Sequence, residues 1–500
     1  MKTGGWLSIT GMTCLVISAA VLLTLHSTLA TRHGVIRGAA GGAVFVPAVT
    51  EVQLISNATL PPPESACFAR GIRCFTPQSM TAGYNFGPLY ASGWTGKGKT
   101  IAIIDSFGSP SIADDLHVFD TAFGLQPMCG ETGVTCTADM PTFSILQVQG
   151  SPAPLPQPPN NGTGQEDHFG WVVEVSLDVE WAHATAPGAN IILVTTPTAE
   201  TLGVQGFPPM MNAVQYVVDN HLADVVSMSL SAGEGTFNGT ASLLNLRKAL
   251  MDAQAGGVTV LAATGDNGSA NVLKEPVKNP GLIPYPSIGW PASDPLVTAV
   301  GGTYHCTDPT NTTTATVDST DPPVNCQAHP GQAEVGWIAG GGGYSIFFTR
   351  PDYQNNLPAG SSYVGSSVGA PGPNSNMRGV PDVAYQASGR TAPLVYLGAF
   401  GWFTVGGTSC STPQWAGLVA IADQISGSDL GFINPGLYKI GSDPIRYAAD
   451  FFDVTQGNNG LFAPTIPGYS ASQGWDAVTG LGTPNAAALA PDLVAAVQGH

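Results

Sequence analysis

Residues 170–196, GWVVEVSLDVEWAHATAPGANIILVTT, decide the architecture. The spacing predicts a helix from about 169 to 185, stopped by the Pro-Gly pair at 187–188. Beyond the stop, NIILVTT is a short β-branched run without polar alternation, the pattern of a strand covered on both faces. The same alternation of helix and strand recurs in MMNAVQYVVDNHLADVVSMSLS (210–231) and LLNLRKALMDAQAGGVTVLAATGDNG (243–268). An earlier buried-type strand lies in GKTIAIIDSFGSP (98–110) and ends at Asp105. Strands separated by helices in this way define an α/β chain with a mostly parallel central sheet and helices on both faces. Two long loop regions, 149–165 and 304–375, interrupt the pattern, and residues 67–500 read as a single large domain without tandem repeats.

Only 10% of the 500 residues are charged, well below the usual quarter, and acids outnumber bases 34 to 16 for a formal net charge of −18. That balance excludes nucleic acid as a partner, because phosphates demand a basic face. It fits an acidic medium, where a surface poor in Lys and Arg avoids positive self-repulsion. An ordinary acidic secreted protein at neutral pH would have the same composition. Residues 1–30 combine Lys2, the apolar core CLVISAAVLLTL (14–25) and the small-residue site STLA (27–30), the pattern of a secretory signal peptide. The core is short for a membrane span, so no membrane association is expected after cleavage. Residues 31–66 end in the linker-like LPPPES and read as a short N-terminal extension or minimal propiece. Of the seven cysteines beyond the signal, Cys67/Cys74, Cys129/Cys136 and Cys306/Cys326 fall into neighbouring pairs. They suggest three local disulfides made in an oxidising compartment; Cys410 is left over and reads as a small buried hydrophobe. The expectation is a secreted, monomeric protein.

GGTSCSTPQWAG (406–417) places Ser409 between a glycine-rich approach and an apolar helix that starts at the serine. Serine before a helix is commonly just a cap, so a nucleophile reading needs a base and an oxyanion site elsewhere. Such partners lie at the C-terminal ends of parallel strands, which here carry Asp105, SLSAGE (229–234) and TGDNG (264–268). Asp105 with His168 or His183 is one candidate set, but neither histidine stands in an HGTH setting. The other is Glu174 and Asp178, four residues apart on the 169–185 helix and therefore side by side. An isolated pair of this kind is usually an exposed acidic face. Val172, Val173, Val175 and Leu177 crowd this one with apolar neighbours.

Taken together these motifs resemble the sedolisin family, serine-carboxyl peptidases of subtilisin-like fold that cleave peptide bonds at acidic pH. GTSCSTP (407–413) matches the family's G-T-S-x-S-x-P and implies Ser409 as nucleophile. Its E-x-x-x-D motif falls on Glu174, the implied base, and Asp178, the implied supporting acid; its G-D-x-G aspartate at the oxyanion site falls on Asp266. GWPASDPLVTAVGGT (289–303), GGGGYS (340–345) and RGVPDVA (378–384) are also similar, and the likeness spans roughly 75–490. In that reading Asp105 is structural or lines the cleft. The resemblance further implies one structural calcium ion on FDVTQG (452–457) and SASQGWDAVTGLGTP (470–484). Asp453 and Asp476 would give carboxylates, and Val454, Ser472 and Gly474 main-chain carbonyls, a donor set that suits calcium. The family usually has glycine where Ser472 stands, a small departure for a main-chain ligand. The family's long prodomain has no counterpart of that length within 31–66.

A carboxylate base makes chemical sense in acid. Histidine, with an ordinary pKa near 6.5, is already protonated at about pH 4, whereas a carboxylate titrating near 4 still accepts the serine proton. The expected optimum lies below about pH 5, with the Glu174–Asp178 pair titrating as one unit. Asp266 needs the opposite state, protonated, to donate to an oxyanion beside the Ser409 amide. The expected substrates are proteins or peptides, cut by an endopeptidase. A tripeptidyl exopeptidase is the alternative, its cleft closed at one end by loops 149–165 and 304–375. A catalytically silent binding protein on the same scaffold would have lost a catalytic residue, and all four are present.

Overall fold

The structure, a computed structural model, describes residues 36–37, 43–44, 50–148, 164–198, 206–272, 281–306, 333–355, 363–364, 376–398 and 400–499. The signal-peptide segment and loop 149–163 lie outside them. The strands that build the site are, in chain order, β1 (Thr50–Ser56), β2 (Arg73–Phe75), β3 (Thr100–Ser106), β4 (Phe143–Gln147), β5 (Asn190–Thr196) and β6 (Val225–Met228). They continue with β7 (Thr259–Ala263), β8 (Thr298–His305), β9 (Glu334–Gly336), β10 (Val383–Gln386), β11 (Thr391–Leu397) and β12 (Gly401–Gly406).

The central sheet runs β4-β5-β3-β6-β7-β8, and beyond β8 it continues with β10 along Val300–Thr303 and β9 along Thr303–His305. Every pairing is parallel except that of β9. The order reverses direction at β3: the chain steps outward to β5 and β4 and then crosses back to β6. In a parallel α/β sheet such a switch opens a crevice at the strand's C-terminal end, and here that end carries Asp105.

The longer helices used below are α1 (Ile112–Phe123), α2 (Gly164–Thr185), α3 (Phe207–Asp219), α4 (Lys248–Ala255), α5 (Thr408–Ser426) and α6 (Ala486–Gln498). One face of the sheet is covered by α3 and α4, whose Val214, Val217, Leu250 and Ala253 pack on Ile104, Val226 and Val260. The other face is covered by α2 and α5, which pack along each other. The expectation of helices on both faces is met.

Residues 170–186 of α2 are buried throughout, the acidic Glu174, Asp178 and Glu180 included, so the helix has no solvent-facing side. A helix buried on every side needs cover on every side. The far cover is a second sheet, ordered β1-β12-β11-β2, together with α1. There Trp181 Nε1 donates to the Leu394 carbonyl (2.9 Å) and Glu180 accepts from the Tyr396 amide (3.0 Å). Residues 50–75, which include the LPPPES-bearing end of the extension, supply two of this sheet's four strands.

Two boundaries differ from the sequence reading. Helix α2 starts at Gly164, several residues before 169, and α5 starts at Thr408 with Gly407 as its cap, so Ser409 lies within the first turn. Region 304–375 is not all loop, since it holds β9 and a strand at Gly343–Thr349. Cys67–Cys74 and Cys129–Cys136 form the expected disulfides. Cys306 is also disulfide-bonded, while Cys326 lies outside the described residues. No helix among the described residues is long and apolar enough to cross a membrane.

Candidate active site

Strand β12 ends at Gly406, and the chain turns at Gly407 (φ +145°), a conformation that favours glycine, directly into α5. That turn sets Ser409, 2% exposed, in the first helical turn, where amides have no intrahelical acceptor and the helix dipole is positive. Helix α2 brings Glu174 and Asp178 to the same place one turn apart, 1% and 0% exposed. The acidic-surface alternative is therefore wrong for this pair. The sheet that covers their helix draws on both sides of the chain, residues 50–75 upstream and 391–406 downstream.

The Ser409 hydroxyl faces the Glu174 carboxyl closely enough to favour its charged form, although neither Glu174 oxygen completes a full-length hydrogen bond. Such contacts are loose in unliganded sites and tighten with substrate. Asp178 is held by Ser229, whose hydroxyl donates to Oδ1 (2.9 Å). Asp105, fully buried at the end of β3, completes a trio of carboxyls; among the described residues neither of its oxygens has a hydrogen-bond donor. Burial pushes Asp105 up to about 8. It also raises Glu174 well above its ordinary value, helped by the neighbouring Asp178 and Asp105 and opposed by Ser409. Asp178 rises for the same reasons, burial first and Asp105 second. Three buried acids this close cannot all ionise, so they share protons and titrate together.

Asp266 follows β7 in the loop Thr264–Gly265–Asp266. Its Oδ1 accepts from the Thr408 amide (2.8 Å) and the Thr408 hydroxyl (3.0 Å), which fixes the carboxyl beside the start of α5. Its Oδ2 is buried without a partner. Burial raises this acid to about 7 in spite of the two Thr408 bonds, with Glu51 adding to the rise. A carboxylic acid that anchors one oxygen and leaves the other to carry a proton is a preorganised donor. The loop is clamped by the glycine run 340–343. The Gly341 amide donates to the Gly265 carbonyl (2.7 Å), and a Cβ at Gly341 would sit 2.1 Å from the Thr264 oxygen.

The structure thus brings Ser409, Glu174, Asp178 and Asp266 together. It leaves His183 elsewhere, bonded to Asp120 (3.1 Å) and the Gln126 carbonyl (2.9 Å). His168 is in α2, but its side chain lies outside the described residues. Cys410 is a free thiol facing the Val405 carbonyl (3.1 Å) and raised by burial, hence not a thiolate. Sequence reasoning missed two supporting groups: Ser229 stood unremarked in SLSAGE, and Thr408 anchors Asp266 from inside the serine motif itself. Asp105, read as structural or lining the cleft, is a full member of the acid trio.

Near the C-terminal loops, Asp453 accepts from the Gly474 amide (3.0 Å), and Asp476 accepts from the Ser472, Val478 and Thr479 amides (2.7, 2.8 and 2.9 Å). Among the described residues no backbone amide donates to the carbonyls of Val454, Ser472 or Gly474. The Ser472 hydroxyl is buried without a partner. Two acids that repel each other, next to carbonyls without backbone partners, make a donor set that fits a hard cation. No group of three or more His, Cys, Asp or Glu with metal-binding geometry occurs among the described residues, so main-chain oxygens must complete any such site.

The class is set by the parallel central sheet, helices on both its faces and a serine where β12 of the second sheet turns into α5. Residues 162–428 match the model of the subtilase family, more than half of the chain, and the chain belongs to that family, in its sedolisin branch. It is 32% identical to Kumamolisin of Bacillus sp. (strain MN-32) over 421 residues, 82% of this chain and 62% of that one. It is 29% identical to Tripeptidyl-peptidase 1 of Homo sapiens over 350 residues, 66% of this chain and 53% of that one. The solved structure of Pseudomonas sedolisin, a serine-carboxyl proteinase complexed with two molecules of pseudo-iodotyrostatin, matches with a TM-score of 0.58 at 26% identity. That match covers 84% of this chain and 97% of the other. The chain spans less than two thirds of the length of these two curated relatives.

Proposed function

We propose that this chain is a serine-carboxyl peptidase, hydrolysing peptide bonds in acid through an acyl-enzyme on Ser409. The observation that carries the reading is a buried serine at a helix start facing a buried carboxyl pair, with a second buried acid anchored beside it. Ser409 Oγ attacks the scissile carbonyl carbon while Glu174 takes its proton. Asp178, steadied by Ser229, holds Glu174 in place and shares its charge. The carbonyl oxygen becomes an oxyanion that accepts from the Asp266 Oδ2 proton and the Ser409 amide. Collapse breaks the C–N bond, and Glu174 returns the proton to the leaving amine. Water then attacks the ester by the same steps in reverse, restoring the Ser409 hydroxyl.

The pH window follows from the two required states. The base must have lost a proton, so activity appears as pH rises through the first ionisation of the Glu174–Asp178–Asp105 trio, which burial pushes up. Asp266 must keep its proton, so activity fades as pH rises through about 7. These raised values move the expected optimum upward from the range first inferred, while leaving it acidic. Hydrolysis of an unfolded polypeptide is expected between about pH 4 and 7, falling to about a tenth of its maximum near pH 8. A correctly folded chain that cuts nothing across that range would defeat the reading.

Cleavage within chains, as an endopeptidase, is the mode proposed. The likeness to a tripeptidyl-peptidase favours a second reading, release of tripeptides from substrate amino termini. Mass spectrometry of the products decides, since internal fragments support the first and a ladder of three-residue steps the second. Export from the cell is proposed with the activity, supported by the two disulfides.

The C-terminal loops would hold one calcium ion through the carboxylates of Asp453 and Asp476 and the carbonyls of Val454, Ser472 and Gly474. When bound, it would relieve the repulsion between the acids and tie two loops together. Chelation is then expected to lower the melting temperature and added calcium to restore it, since an ion at 100 times its Kd stabilises by about 2.7 kcal/mol. A melt indifferent to both treatments would rule the ion out.

A further inference from the structure

Strand β1 does more than lengthen a sheet. Thr50 pairs with Gly406, two residues before the Thr408 amide that anchors Asp266. The next residue, Glu51, is a non-glycine held at φ +58°, and its Oε2 accepts from the Gly389 amide (2.7 Å). A Cβ at Gly389 would lie 2.3 Å from the Glu51 Cβ, so only glycine lets the two approach. Backbone strain of this kind, kept by a dedicated contact, marks a side chain whose position matters. The acids and thiol that interact with Asp266 are Glu51 from β1, Glu174 from α2 and Cys410 from α5.

We propose that Glu51 is a positioning residue for Asp266, and that β1 therefore stays in the working enzyme instead of leaving as a propiece. The proposal rests on the peptidase reading above. A negative charge beside Asp266 favours its protonated form, the form that donates to an oxyanion, and so extends activity to higher pH. The strand is built in accordingly. Val52 and Ile55 belong to the main core, Arg70 donates to the Ile55 carbonyl (2.7 Å), and the buried Trp402 indole donates to the Thr59 carbonyl (3.1 Å). Removing residues 50–59 would strip β12 of a neighbour and leave that indole without its acceptor.

The test uses the full chain. N-terminal sequencing of the active protein should give a start upstream of Thr50. Glu51→Gln should move the upper-pH limb of kcat/KM downward by about half a pH unit to one unit, because losing the neighbouring charge lets Asp266 ionise sooner. Glu51→Asp should keep the wild-type limb. Gly389→Ala, which pushes Glu51 away, should shift the limb as Glu51→Gln does. An active species beginning after Ser56, or an unmoved limb in folded Glu51→Gln, overturns the proposal alone. Absence of hydrolysis by the wild type overturns the peptidase reading with it. Sequencing needs no variant, so misfolding of either substitution leaves the proposal open to refutation.

Discussion

Replacing Ser409 by alanine, or Glu174 by glutamine, is expected to lower kcat by about four orders of magnitude or more, and both together by no more than either alone. In the proposed mechanism the two groups carry out one event, a proton leaving oxygen as that oxygen attacks, so removing either member removes the event. Both side chains are buried and packed, and both substitutions nearly conserve volume. The melting temperature should therefore hardly change. Glutamine also carries no negative charge, which eases the crowding with Asp178 and Asp105. Glu174→Gln should thus melt at or above the wild-type temperature while being inactive. A variant that is both folded and more than a tenth active would show that another group takes the proton.

The largest stability effect is expected at Asp382, far from the chemistry in role but close to it in the chain. Its carboxylate is fully buried and receives Arg378 through both terminal nitrogens (2.8 and 2.5 Å), the Tyr438 hydroxyl (2.7 Å) and the Ala299 amide (2.8 Å). Arg378 is itself fully buried, and the facing Asp382 and the Tyr353 and Tyr438 rings hold its guanidinium protonated against the burial that opposes it. Asp382→Ala strands that cation and should cost about 3–5 kcal/mol, read as a lower denaturant midpoint. The double variant Arg378→Met with Asp382→Leu should recover much of the loss, because an apolar pair of similar volume carries no uncompensated charge. If the double variant were no better than the single one, the cost would have to come from packing.

Much of this was legible in the sequence, for reasons that can be named. The strands from Ile101, Ile191, Val225 and Thr259 are continuous β-branched runs, which only a sheet covered on both faces can hide. Ser409, Glu174, Asp178 and Asp266 could be named together because each sits in a short motif that resembles the sedolisin family's; spacing alone set only Glu174 and Asp178 side by side on one helix. What stayed hidden depends on partners distant in the chain. Nothing local in AIIDS tells that α2 lies against the end of that strand, so Asp105 reads there only as structural or as lining the cleft. Nothing in TEVQLIS announces that its partner strand is some 350 residues away and leads to the nucleophile. The start of α5 was misplaced by one residue because serine is the commoner cap, whereas here Gly407 takes the unusual backbone angle and Ser409 is spared for other work.

Helix α2, wedged between two sheets, also bears on when the proposed activity can first appear. Its inner cover comes from segments near residues 100 and 190, its outer cover from residues 50–75 together with segments near 394 and 402. A nascent chain lacking the later segments lacks the two middle strands of that outer cover, and Ser409 with them. On the proposed reading, the capacity to cut is thereby bound to completion of the tertiary structure.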